Sequence, residues 1–373
     1  MLYYLPLEPY IERYTYLMSA KDGWAEENFK RYNVPFVRVD GKSLGNTIKT
    51  GVVLDACGRS YYALSQIQQL INLINDGKVN DNDIIYVEDF WHPGIESLFY
   101  IRHLCGINFK IGTFIHAQSV DDTDFAYAMR YWMRPIETGF GRQYDFIFTC
   151  SDILRNLCID SGITTPERIH TVGLPYNSAV LLKQIEDMGF IGMNCKKEDY
   201  VLFSSRFDDE KDPMFFLDLV EACPNVEFRL VNPRKDRPIT SNKKVVERLN
   251  NTLKTCSNLK IIETYDKISY YNALARAKVV FNCANQDWVS WTLLEAITFK
   301  CLPLYPVWKD FPLELNYDNR FLYQKRNLND CISKLTRLLK MDFNDVSIDL
   351  DCIINKHDGS WKKFLQIMGE EIN

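Results

Sequence analysis

The chain has 373 residues, 46% of them hydrophobic and 25% charged, with a formal net charge of −5. These proportions suit a globular protein of two domains and exclude a disordered or fibrous chain, while the acidic balance gives no overall attraction to nucleic acid or anionic lipid. The eleven cysteines are scattered without a Cys-x-x-Cys pair, which points to reduced thiols in a cytosol rather than a disulfide framework or zinc knuckle. The opening Met1-Leu-Tyr-Tyr-Leu-Pro6 has no basic segment and is followed at once by Glu8, and no apolar run approaches the length of a spanning helix. A cytoplasmic protein with no membrane span is expected.

In chain order, Tyr3-Tyr-Leu-Pro6, Phe36-Val-Arg-Val-Asp40, Gly51-Val-Val-Leu-Asp55, Asp83-Ile-Ile-Tyr-Val-Glu88, Phe109 to Ile115 and Phe146-Ile-Phe-Thr149 read as short strands, separated by helical stretches such as Tyr61 to Asn75. That alternation calls for a parallel sheet with helices on both faces, forming a first domain over residues 1–172. Arg13, Tyr14 and Trp24 follow its first strand. Asp89-Phe-Trp-His-Pro-Gly94 ends another strand with an acid, two aromatics, a histidine and a turn, a composition suited to holding a planar or sugar ring. Asp89, Trp91 and Arg13 are therefore candidates for binding one substrate; the alternative is a strand-terminal turn with Trp91 packed inward. His116 ends a buried strand. The acids of Asp121-Asp-Thr-Asp124 have the composition of a Mg²⁺ or Mn²⁺ site but are read as a helix N-terminus. No metal or cofactor is expected.

Gly173 to Lys197 lead into a second series of strands at Tyr200 to Ser205, Val226 to Val231, Leu259-Lys-Ile-Ile262, Lys278 to Cys283 and Cys301 to Leu304, giving a second domain over 173–350. Arg206-Phe-Asp-Asp-Glu-Lys211 follows the first of these strands, and Asp212-Pro213 reads as an N-cap with proline at the first helical position. Arg206 and Lys211 thus flank one strand-to-helix loop, where helix N-termini present unpaired N–H groups, and the two cations suit a diphosphate. The alternative is a solvated loop in which they pair with Asp208, Asp209 and Glu210. Asp287 lies in the loop after Lys278 to Cys283, and Glu295 sits within the following helix. Carboxylates there can accept hydrogen bonds from sugar hydroxyls. Arg234, with Lys235, Arg237, Lys243, Lys244 and Arg248, makes the densest basic cluster, either a phosphate-binding edge or a solvated face. A tail over 351–373 carries Trp361, Phe364, Leu365 and Met368 at helical spacing.

Residues 200 to 310 resemble the donor-binding domain of retaining glycosyltransferases of the GT-B architecture, the glycogen-synthase-like and sucrose-synthase-like group. Arg206 and Lys211 match that family's Arg-x4-Lys, and Asp287 with Glu295 its acid-x7-Glu. The likeness extends back through Thr113-Phe-Ile-His116, Tyr144 to Ser151 and Ile169-His-Thr-Val-Gly173. Two departures stand out: Asp287 replaces the usual Glu, and Trp288-Val-Ser290 replaces a Gly-Phe-Gly loop.

The resemblance implies two Rossmann-like domains facing across a cleft, with the last helix crossing back onto the first; a plain amphipathic terminal helix fits the tail equally well. It also implies transfer of a sugar, with retention, from a nucleoside diphosphate sugar, UDP-linked above all, to an acceptor hydroxyl. Arg206 and Lys211 would neutralise the departing diphosphate, Asp287 orient the sugar, Glu295 hold the ribose and His116 meet the far side of the ring. Ser290 would replace the glycine backbone with a hydroxyl, Tyr265 pack on the nucleobase and Arg234 contact phosphate.

Tyr4-Leu-Pro-Leu-Glu-Pro-Tyr10, Arg13-Tyr14, Val39-Asp40-Gly41, Val53-Leu54-Asp55 and Trp91-His-Pro-Gly94 are similar to the first domain of bacteriophage-encoded glycosyltransferases. That likeness implies a hydroxymethylated pyrimidine in phage DNA as acceptor, in the host cytoplasm. Polysaccharide or glycolipid synthesis is the alternative, and a non-catalytic sugar-nucleotide-binding protein of the same shape is the reading from another class.

Overall fold

The computed structural model describes residues 1–8, 16–45, 55–116, 119–192, 195–234 and 238–369. It divides into two units, Met1–Val180 with His357–Asn373, and Leu181–Lys356. Each unit carries one six-stranded sheet in which every pairing is parallel. The strands are short apolar runs because a parallel sheet is covered on both faces and leaves little room for polar alternation.

In the first unit the strands are β1 (Leu2–Leu5), β2 (Phe36–Arg38), β3 (Ile84–Val87), β4 (Lys110–Phe114), β5 (Phe146–Thr149) and β6 (Ile169–Thr171), ordered β2-β1-β3-β4-β5-β6. In the second they are β7 (Glu198–Phe203), β8 (Glu227–Asn232), β9 (Leu259–Glu263), β10 (Ala277–Phe281), β11 (Leu302–Pro306) and β12 (Leu322–Tyr323), ordered β12-β11-β10-β7-β8-β9. Both sheets are α/β and both contain one reversal of strand order. The chain runs outward from β1 to β2 and returns to β3 on the other side; it runs from β7 through β8 and β9 and returns to β10. At such a point the loops leaving two neighbouring strands turn away from each other, opening a crevice beyond the strands' carboxyl ends.

The register across these junctions is Leu5↔Val87 and Phe203↔Phe281, so the two loops of each pair start level with one another. The expected strand over Gly51 to Asp55 falls on residues outside those described, except for Asp55, whose carboxylate caps the helix Ala56–Asn75 by accepting from Gly58 N–H at 3.1 Å. The edge strands β6 and β12 are too short to register as strands in the sequence.

The chain's tail completes the core of the first unit. In the helix Ser360–Ile367, Trp361, Phe364 and Leu365 are buried. Phe364 lies 4.3 Å from Phe148 and 4.7 Å from Tyr86, ring centre to ring centre, and Trp361 meets Phe29 edge-on at 5.7 Å. The segment before it is stitched to the end of the first domain: Leu174 N–H donates to His357 Nδ1 at 3.0 Å, and Ser178 N–H to Asp358 at 2.8 Å. Gly173 makes this approach feasible. Its φ is +92°, and a Cβ there would stand 3.0 Å from His357 Nδ1, so a side chain would be strained and crowded together. Phe364→Ala should cost roughly 3–5 kcal/mol of stability in urea denaturation; a loss below about 1 kcal/mol would show that the tail is not part of this core.

Candidate functional site

The loops at the junction of β7 and β10 are joined to each other before any ligand is considered. Asn285 and Gln286 N–H both donate to the Glu210 carbonyl, at 2.8 and 3.2 Å. Lys211 is buried, and its Nζ donates to Gln286 O at 2.7 Å and pairs with Asp287 Oδ1 at 3.0 Å. An ammonium and a carboxylate have thus been taken largely out of water together, an arrangement in which removing either partner strands the other.

Arg206 behaves differently from its expected partner in the clamp. Its side chain is 50% exposed and pairs with Glu210 and, at 3.7 Å, with Asp208. Lys211 and Asp287 are therefore brought into contact, while Arg206 is engaged by acids of its own loop. Asp209 is not among its partners; it accepts from Asn242 Nδ2 at 2.7 Å. Asp212 occupies the N-cap position before Pro213 but makes no cap bond, because its φ of +50° turns the side chain elsewhere: it accepts from Arg326 Nε at 2.9 Å.

Glu295, in the helix Trp291–Thr298, is held by two residues absent from the sequence reading. Tyr270 and Tyr271, on the helix Lys267–Arg276, donate to its two carboxylate oxygens at 2.7 and 3.0 Å. Burial pushes its pKa up, with Lys267 and the two phenols opposing. The only advance signal was a Tyr-Tyr pair shortly after the Asp266 cap. Ser290 is buried, and its hydroxyl shares a hydrogen bond with Thr292 Oγ1 at 2.7 Å, which in turn reaches Tyr305 Oη at 3.2 Å. Tyr265, after β9, is 40% exposed. Arg234, after β8, is buried and bonded to Asp208 at 2.9 Å, and Arg248 pairs with Asp218 and Glu221. Two members of the expected basic edge, Arg234 and Arg248, are thus engaged by carboxylates; Lys235 and Arg237 lie outside the described residues.

In the first unit the junction of β1 and β3 gathers a second polar cluster, which the sequence only partly revealed. Arg59, one turn into the helix capped by Asp55, is buried between Glu8 Oε2 at 3.3 Å and Asp89 Oδ2 at 3.4 Å. Trp91 is tied inward by donating from Nε1 to Glu137 Oε1 at 3.1 Å. His116 Nε2–H donates to the Glu88 carbonyl at 2.9 Å; burial lowers its pKa, against the pull of Asp89, and favours the neutral ring. His92 is pushed down to about 3 by burial, with Arg59 adding to the effect. Arg13 and Tyr14 lie outside the described residues. Asp121 accepts from Thr123 N–H and Asp124 from Ala126 N–H, so these acids cap turns. Among the described residues no group of His, Cys, Asp and Glu could hold a metal ion, and no helix is long and apolar enough to cross a membrane.

Glu88 is the most perturbed acid here. Burial raises its carboxyl to about 7, against hydrogen bonds from Ser19, Tyr4 and Leu7 N–H.

No family model and no curated protein sequence matches the chain. Solved structures do. A trehalose-6-phosphate protein from E. coli, bound with UDP-2-fluoro glucose, aligns over 100% of both chains with a TM-score of 0.63 at 12% identity. The sucrose-phosphate synthase of Thermosynechococcus elongatus aligns over 89% of this chain and 80% of its own, with a TM-score of 0.58 at 12% identity. TarM of S. aureus, solved with UDP, aligns over 83% of this chain and 59% of its own, with a TM-score of 0.56 at 13% identity. At these identities the likeness establishes the fold, that of the two-domain GT-B glycosyltransferases.

Two outcomes follow from the charges. Lys211→Met should cost roughly 1–3 kcal/mol in urea denaturation because Asp287 is left unpaired, and Arg206→Ala less than about 1 kcal/mol because its pairs face water; the reverse order would contradict this account of the junction. The folded chain keeps the Glu88 proton up to about pH 7, whereas an unfolded carboxyl releases it near 4.5. Its contribution is therefore full at low pH and is lost as pH rises through that window. Denaturation of Glu88→Gln beside the parent should show the variant gaining relative stability across it; a constant difference would contradict the raised value.

Proposed function

We propose that the protein is a retaining glycosyltransferase that moves a sugar from a nucleoside diphosphate sugar, UDP-linked, to an acceptor hydroxyl. The observation that carries the reading is the Lys211–Asp287 pair at the strand-order reversal of the second sheet, with Glu295 oriented by two phenols nearby in the same unit. A departing diphosphate gains negative charge in the transition state, and a lysine already desolvated and aimed there stabilises it without reorganising. Arg206, on the exposed side of the loop, exchanges its carboxylate partners for phosphate oxygens. Asp287 then accepts from the sugar's hydroxyls, and Glu295 from the ribose.

Tyr265, at the end of β9, packs on the nucleobase, Arg234, at the end of β8, contacts phosphate, and Ser290 offers a hydroxyl to the donor. No separate base is needed, since the departing phosphate oxygen accepts the acceptor's proton. The first unit supplies the acceptor site, with Asp89, Arg59 and Glu8 at its own junction; Trp91 acts through its bond to Glu137, and the role of His116 at the sugar rests on the family resemblance. The reaction needs no metal on this account, because Lys211 and Arg206 carry the countercharge.

For the acceptor, Arg234 and Arg248 of the basic cluster are already paired with carboxylates, which weakens their contribution to a phosphate-binding stripe of the kind DNA would require. A carbohydrate hydroxyl, as in polysaccharide or glycolipid precursors, is favoured over a hydroxymethylated pyrimidine. The test is release of nucleoside diphosphate from a panel of UDP-, ADP- and GDP-sugars, with glycan acceptors and with hydroxymethylated DNA. Acceptor-dependent release is expected, falling about a hundredfold or more in Lys211→Ala, with the anomeric configuration kept in the product. Binding without turnover on any acceptor would instead establish a sugar-nucleotide sensor, and release dependent on DNA would restore the DNA acceptor.

A further inference from the structure

Tyr270 and Tyr271 are sequence neighbours on one helix, so their side chains leave its axis about 100° apart, yet both end on the same carboxylate. Tyr270 Oη donates to Glu295 Oε2 at 2.7 Å and Tyr271 Oη to Glu295 Oε1 at 3.0 Å. Each oxygen thus receives one phenol. The two rings meet edge to face with 5.1 Å between centres. Tyr271, fully buried, also stacks on Phe299 at 5.3 Å. Phe299 lies one turn beyond Glu295 and donates its N–H to the Glu295 carbonyl at 2.9 Å, so this stacking holds the helix that carries the carboxylate against the helix that carries the phenols.

A carboxylate offers about four lone-pair directions, two on each oxygen. With one direction on each oxygen taken by a phenol, one on each is left, and the two remaining directions lie near a common plane. That pattern fits two neighbouring hydroxyls rather than one. Glu295 is only part-buried, so a ligand can reach it. Burial works against its ionised form, while Lys267 and the two phenols work for it.

We propose that Tyr270 and Tyr271 are positioning residues that fix Glu295 to accept from two vicinal hydroxyls at once, and that this restricts the donor to ribonucleotides and excludes sugar nucleotides built on a deoxyribose. The inference rests on the donor reading, which gives Glu295 the ribose, and deepens it by a substrate class. A deoxyribose brings one hydroxyl where the carboxylate is set for two, so one desolvated acceptor stays unpaired, and a site built to bond a hydroxyl discriminates strongly against the analogue that lacks it. Without the phenols the carboxylate turns about its terminal torsion, which is soft. The second hydroxyl then gains little over the first.

Calorimetric titration of the full chain with UDP, ADP and GDP first identifies the nucleotide that binds, and that nucleotide is then compared with its 2′-deoxy and 3′-deoxy forms. The parent should bind the ribonucleotide about tenfold or more tightly than either deoxy form. Tyr270→Phe and Tyr271→Phe keep the rings and their packing, and each should lower that ratio about threefold or more. The same Phe substitutions made on top of Glu295→Ala should leave ribonucleotide affinity unchanged, because no carboxylate is left to position. A ratio that survives both Phe variants, even where the melting temperature falls, would overturn the positioning role and leave Glu295 at the ribose. A loss of ribonucleotide affinity that persists at full size in the Glu295→Ala background would overturn it too, because the phenols would then act without the carboxylate. Equal binding of ribo- and deoxynucleotide by the parent would overturn the inference together with the place of Glu295 at the ribose, while leaving the diphosphate site intact. Failure of every nucleotide to bind would overturn the donor reading itself.

Discussion

The Lys211–Asp287 ion pair is the interaction on which the rest turns, and it exists because β7 and β10 are neighbours despite lying far apart in sequence. Their level register starts two loops at the same height, and the Glu210 carbonyl fastens one to the other through Asn285 and Gln286. Only then do the ammonium and the carboxylate meet. A pair this far from water is not a strong source of stability, because desolvation offsets much of the attraction. Its value is a positive charge fixed in one place with its hydration already removed, where a phosphate can displace the carboxylate.

Much of this was legible in the chain. The apolar runs of β7 and β10 and the polar loops behind them are plain in the sequence, because parallel strands buried on both faces leave a hydrophobic signature and must turn into loops at their carboxyl ends; that the two strands are neighbours is shown by the sheet order. Side-chain partners were less legible. Spacing placed Arg206 and Lys211 on one loop, yet not that Arg206 would turn to Glu210 while Lys211 crossed to the next strand's loop. Tyr270 and Tyr271 reach Glu295 from the helix after β9, a contact set by the crossover rather than by any local pattern. Asp212 followed by Pro213 has the composition of a helix cap, but the cap bond depends on a backbone angle that composition does not encode. Arg59 shows its importance only once Glu8 and Asp89 close around it.

The two units solve the same problem in opposite ways. At the second unit's junction a cation is buried against one carboxylate. At the first, one guanidinium is shared by two carboxylates, while Glu88 has a pKa raised to about 7 and His116 favours its neutral form. A site that receives a diphosphate wants fixed positive charge; one that receives a hydroxyl wants acceptors and neutral donors. The difference in charge therefore follows the proposed division of labour between donor and acceptor.

The most direct test is a crystal structure with UDP bound. The account expects a phosphate oxygen within about 3 Å of Lys211 Nζ, the Asp287 contact loosened, and the ribose hydroxyls at Glu295. A nucleotide seated away from the β7–β10 junction, with the Lys211–Asp287 pair undisturbed, would contradict it.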